Sequence, residues 1–152
     1  MSTPAVPPNR TECDPEFVAP PTAKLYYLRS KKRPSTNFIR AEITPADYFV
    51  YDVENTPADG LGCPGTWLFD AAWNHFVQQG ITVNGIRGSW TFGTNLAAIN
   101  RLTASNQTSL EDAAVQTWAA VRAGNKGFTT VRVLDSDGSS GNYISVDVVF
   151  LP

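Results

Sequence analysis

Cysteine and histidine are scarce in this chain, with two of the first and one of the second in 152 residues. Without a third cysteine or a neighbouring histidine, Cys13 and Cys63 do not make a zinc site. About 50 residues apart, they read as two unrelated reduced thiols, with a disulfide as the alternative. Long apolar runs are missing too. No stretch approaches the roughly 20 apolar residues of a membrane span, so no membrane partner is expected. Met1 is followed by STPAVPPNRTE, which has neither a basic start with an apolar run nor a small-residue cleavage site, and no secretory signal peptide is expected. Neither sign of charge dominates. A net charge of −2 and a pI near 5.3 provide no global field for nucleic acid, which must find a local patch if it binds. Walker, G-x-G-x-x-G, H-E-x-x-H and G-x-S-x-G motifs are absent, which argues against the common nucleotide-binding and hydrolase families.

Apolar residues, by contrast, are plentiful. Hydrophobic residues make up 42% and aromatics 11%, enough at this length to bury one core rich in Trp and Phe. Residues 1–22 carry Pro4, Pro7, Pro8, Pro15, Pro20 and Pro21 and read as a disordered leader or linker, with the folded domain over 23–152. AKLYYLR predicts a strand with Leu25, Tyr27 and Arg29 on one face and Tyr26 and Leu28 on the other; NFIRAEI (37–43) and YFVYDV (48–53) predict two more. NTPADGLGCPG (55–65) is a long loop. Thr66 is expected to cap a helix, WLFDAAWNHFVQQ, that ends at Gly80. Ile81–Val83 predicts a short strand running into NGIRGSW (84–90), and Phe92, Leu96, Ile99 and Leu102 recur at helical spacing. Thr108 and Glu111 form a T-x-x-E capping box for a helix whose face is Leu110, Ala114, Trp118 and Val121, down to Gly124. The C-terminus predicts a hairpin in which Val133 meets Ile144, Val131 meets Val146, Arg132 meets Ser145 and Thr130 meets Asp147, with Ile144, Val146, Val148 and Phe150 turned inward. The order of elements reads as one α+β domain, an antiparallel sheet with helices packed on one face.

Several residues carry chemistry. In NGIRGSW, Asn-Gly is a turn signal and Gly88 frees the backbone beside Arg87. A guanidinium next to Ser89, an indole and a helix N-terminus suits a phosphate, with Trp90 as a surface for base stacking. The plain alternative is that Trp90 fills the core and Arg87 pairs with a carboxylate. His75 borders the apolar face of its helix; it can serve as general acid or base, or be a partly buried structural histidine. The connector RSKKRP, with Lys31, Lys32 and Arg33, and Arg40 on the next strand, can follow a phosphate backbone or simply keep a hairpin tip soluble. The polar hairpin face of Thr130, Arg132, Ser145 and Asp147 reads as a catalytic surface or as solvated sheet. Asp52 and Glu54 near a strand end offer two carboxylates to a metal.

From NGIRGSW through NLAAINRLTASNQTSLEDAAVQTWAAVRAGNKGFTTVRV to GNYISVDVVF, Asn84 to Phe150, the chain resembles the C-terminal toxin domains of bacterial polymorphic toxins of the Rhs and filamentous-haemagglutinin type. The likeness lies in the arginine-glycine turn, the T-S-L-E-D-A-A helix with its tryptophan, and the closing hairpin. It implies an antibacterial effector delivered by a specialised secretion system to a target-cell cytoplasm, with a cognate immunity protein as partner. Many such payloads are metal-independent ribonucleases on a small helix-plus-antiparallel-sheet fold. In that case His75 is the expected general base or acid, Arg87 stabilises the pentavalent phosphate, Trp90 stacks a base and the connector guides RNA, with no cofactor. Others consume NAD or transfer ADP-ribose. Arg29 in LYYLRS is similar to the arginine that opens those folds, but Asp147 stands where a glutamate is usual. A third expectation is a non-enzymatic binding, immunity or adaptor module anchored by Arg87 and Trp90.

Overall fold

The computed structural model describes residues 13–57, 60–105 and 107–152. The chain is an α+β protein with antiparallel strand pairing, divided into two compact units, one running to Val83 and one from Asn84 to Pro152.

The first unit holds β1 (Pro15–Phe17), β2 (Leu25–Ser30), β3 (Asn37–Ile43) and β4 (Tyr48–Asn55), paired antiparallel in sequence order, and α1 (Gly65–Gln78). β2 has the alternation read from sequence: Tyr26 and Leu28 are buried, whereas Leu25, Tyr27 and Arg29 are half-exposed. Helix α1 packs across β2, β3 and β4. Its Leu68, Phe69, Ala72, Trp73 and Phe76 are buried, and Phe49 meets the rings of Phe69, Trp73 and Phe76 edge-on. The helix starts at Gly65 after Pro64, with no side-chain cap, so Thr66 lies inside it and is not the N-cap. It ends as expected at Gly80, whose φ of +75° lets Ile81 N–H reach back to Phe76 C=O at 3.2 Å.

Two expectations about the leader are corrected. Cys13 and Cys63 are bonded to each other, and Pro15–Phe17 is an edge strand against β2 rather than loose chain, so part of the stretch before Ala23 belongs to the sheet. The cause is a polar clamp that prolines and spacing do not reveal. Buried Asn37 accepts the Cys63 N–H (2.5 Å) and donates to the Cys63 carbonyl (2.8 Å), holding the loop beneath the Cys13 end of the strap. Residues 1–12 lie outside the described part of the chain.

The second unit contains β5 (Gly85–Trp90), α2 (Gly93–Thr103), α3 (Leu110–Ala114), α4 (Trp118–Asn125), β6 (Thr130–Asp137) and β7 (Ser145–Leu151), with strand order β5-β7-β6. Here the structure departs from the sequence reading in four places. The strand is Gly85–Trp90 itself, and Ile81–Val83 is not strand. The long C-terminal helix is two: Ser109, not Thr108, caps α3 by accepting the Asp112 N–H, and after a break at 115–117 Thr117 caps α4 by accepting the Ala120 N–H. The buried Thr117 hydroxyl also donates to the Ala114 carbonyl at 2.7 Å, which satisfies the break and turns Val121 outward. The hairpin register is shifted by four residues, so that Val133 meets Val148 and Val131 meets Phe150. An even shift keeps every side chain on its face, which is why the polar face survives although its pairs do not. Ile144 falls outside the ladder and is 65% exposed.

Candidate functional site

Two sets of residues that are far apart in sequence meet on the face of the β5-β7-β6 sheet away from buried Val146 and Val148. The registers place Arg87 opposite Val149 and Val149 opposite Arg132, forming one row across three strands. In the next row Ser89 faces Asp147 and Asp147 faces Asp135; beyond it Ser145 faces Asp137. The Ser89 hydroxyl donates to Asp147 Oδ1 at 2.6 Å, which fixes the second row on one side of the sheet. Arg87, Ser89, Arg132, Asp135 and Asp137 are exposed, whereas Asp147 and Ser145 are half-buried. Neither guanidinium has an ion-pair partner among the described residues.

Local geometry explains why this face exists. A Cβ on Gly88 would stand 2.7 Å from Trp90 Nε1, so the indole lies against the strand at a point only glycine leaves open. Trp90 is thereby tucked beside Phe150 and is 6% exposed. Alternation then sends Arg87 and Ser89 to the opposite face. On β6 a bulge between Val133 and Asp135 inserts Leu134 and resets the alternation, so Arg132 and Asp135 share a face despite their odd spacing.

The remaining candidates sit elsewhere. Trp90 is core, which corrects its assignment as a base-stacking surface; the phenylalanine two residues later is the exposed one, Phe92, at 67%. His75 belongs to the first unit, where its Nε2 is 2.6 Å from the Thr22 carbonyl and its ring packs against Tyr26 and Phe76. Arg29 is also there, its Nε donating to Glu16 at 2.9 Å across the β1–β2 pair. Arg40 stands opposite Asp52 and reaches Glu42 at 3.5 Å, and Glu54 faces Phe38, so the exposed face of that sheet interleaves cations with carboxylates. Lys31 and Lys32 are exposed on the β2–β3 connector and Arg33 is half-buried. No group of three or more His, Cys, Asp or Glu suited to a metal occurs among the described residues. Also among them, no helix is long and apolar enough to cross a membrane.

Sequence reasoning had named Arg87, Ser89, Arg132, Ser145 and Asp147, but in two separate lists, and had passed over Asp135. Period-two alternation without the bulge puts Asp135 on the other face, and the doubled pairing of β7 with both neighbours is what merges the lists. In class this is an α+β protein whose second unit presents a polar sheet face with two arginines that have no ion-pair partner among the described residues. No protein-family model matches the chain, and neither curated proteins nor solved structures yield a match.

Proposed function

We propose that this sheet face is the working surface and that the protein is an effector that cleaves RNA without a metal ion. The observation that carries the reading is the adjacency of the Arg87–Val149–Arg132 row to the Ser89–Asp147 pair. A guanidinium neutralises the charge that builds on a phosphodiester as it becomes pentavalent, and the second holds the neighbouring phosphate. Asp147, held by the Ser89 hydroxyl, stands one row away to accept the proton of the attacking 2′-OH. The 2′-oxygen–phosphorus bond forms, the bond from phosphorus to the 5′-oxygen breaks, and the leaving oxygen takes a proton from water, giving a 2′,3′-cyclic phosphate. Asp147 is assigned the proton transfer rather than His75, whose Nε2 is already engaged by a backbone carbonyl. The transferase reading loses support because Arg29 is occupied by Glu16. The resemblance to polymorphic toxin domains favours an antibacterial role with an immunity protein as partner.

The test is incubation of the full chain with an RNA oligonucleotide in excess chelator, scored for cyclic-phosphate ends. Arg87→Ala should slow cleavage by about 100-fold, the order expected for one lost transition-state donor, and His75→Ala should leave the rate near wild type. Binding without cleavage would replace the nuclease with a non-enzymatic binding surface, and unchanged cleavage in Arg87→Ala would remove this face from the reaction.

A further inference from the structure

The same face carries information about how a ligand lies on it, beyond which residues touch it. Its rows alternate sharply in character. Leu151 and Thr130 make an uncharged row, Arg87, Val149 and Arg132 a cationic one, and then come two rows bearing Asp147 with Asp135 and Asp137. Successive rows on one face are about 7 Å apart, because two residues of a strand separate them, and the two arginines stand about 10 Å apart across two strand spacings. Val149 between them is 5% exposed, an apolar floor closed off from water.

We infer that an anionic chain crosses this face at right angles to the strands, on one track through Arg87, Val149 and Arg132, and that Asp135 and Asp137 fence it from running along them. This rests on the reading of RNA as the ligand. A polyanion laid along β6 moves from Arg132 straight onto Asp135 and Asp137, and one laid along β5 moves from Arg87 onto Ser89, whose hydroxyl is bonded to Asp147, whereas one laid across the strands meets both guanidiniums and no acid. The track therefore offers two phosphate contacts and no more. It fits single-stranded RNA, whose backbone adjusts its phosphate spacing to two points, better than a duplex. With one strand of an A-form duplex on the track, base pairing holds the other beside it, and its phosphates cannot be steered clear of the aspartate rows. Asp147 lies at the edge of the track, within reach of the ribose of the nucleotide held there, so the phosphate that reacts is one of the two clamped on the track. Asp135 and Asp137 take no part in the chemistry; their effect is repulsive and sets which ligands are refused.

The experiment uses the full chain, a fluorescent RNA analogue lacking the attacking 2′-hydroxyl in single-stranded and duplex form, and anisotropy across a salt series, with circular dichroism confirming that each variant is folded. Two contacts on a single strand give a slope of log affinity against log salt of about −1.4, falling to about −0.7 in Arg87→Gln or Arg132→Gln. Joint Asp135→Asn and Asp137→Asn should tighten single-strand binding several-fold and narrow the preference over duplex. Arginine variants that weaken binding while the aspartate pair changes nothing would overturn the track and leave the RNA reading standing. Equal affinity for single strand and duplex in the wild type would do the same. No binding to either form, together with no cleavage, would sink both.

Discussion

Replacing Cys13 and Cys63 by alanine removes a crosslink whose contribution can be worked from the chain. The bond joins residues separated by 50 positions. For a loop of about that size the chain-entropy relation gives close to −14 cal/mol/K, or about 4 kcal/mol at 25 °C, mostly by restricting the unfolded ensemble. Little else depends on it in the native state: Cys63 stays in the grip of Asn37 through its own N–H and carbonyl. The half-exposed Glu16–Arg29 pair that helps hold the strap contributes at most about 1 kcal/mol. Against a typical total of roughly 5–15 kcal/mol, the loss is about a quarter or more. Urea unfolding followed by tryptophan fluorescence, with Trp73 in the core of α1 as reporter, measures it. The double variant should show a lower midpoint and a steeper slope, since an uncrosslinked unfolded chain exposes more surface. A loss below about 1 kcal/mol would refute the reasoning and place the stability of the strap in its non-covalent contacts.

Two further outcomes are expected. Gly88→Ala should cost about 1–3 kcal/mol, because the new methyl meets the Trp90 indole inside van der Waals distance, and thermal unfolding by near-ultraviolet circular dichroism reads it. Burial pushes the Tyr26 phenol up to about 12 from an ordinary 10, and burial raises Tyr51 as well. The unfolded chain then releases these protons first, so stability is intact below pH 10 and falls as pH rises towards 12, by up to about 3 kcal/mol for Tyr26. Urea midpoints from pH 9 to 12 should decline in that window, less so in Tyr26→Phe, and a flat profile would contradict the burial assigned to this ring.

How much of this was legible in the sequence varied with the range of the interaction. β3 was read to the residue, because NFIRAEI alternates over its whole length and is bounded by turn residues. Helix α1 and its Gly80 stop were read from periodicity and one left-handed glycine. The break between α3 and α4 was missed because Leu110, Ala114, Trp118 and Val121 keep helical spacing straight through it, while Thr117 diverts its hydroxyl to the Ala114 carbonyl. The strap was missed because Pro15 and Pro20 mark extended chain and say nothing of a partner strand. Trp90 drew attention as a flanked aromatic, yet Gly88 beside it was there to receive the indole. A tight packing contact and a functional loop have the same local composition.

By itself the sequence determined the class of the fold, strand β3 and helix α1, and the sidedness of β7. These depend on neighbours within one turn or one pleat, and they survive a register shift of four because side chains return to the same face every two residues. Tertiary structure alone decided that Cys13 finds Cys63, that His75 is held by the Thr22 carbonyl, and that Arg87 and Arg132 stand in one row with Asp147 beside them. Each of those depends on which strand lies next to which, and a bulge of one residue at Leu134 is enough to choose whether Asp135 joins the site or leaves it.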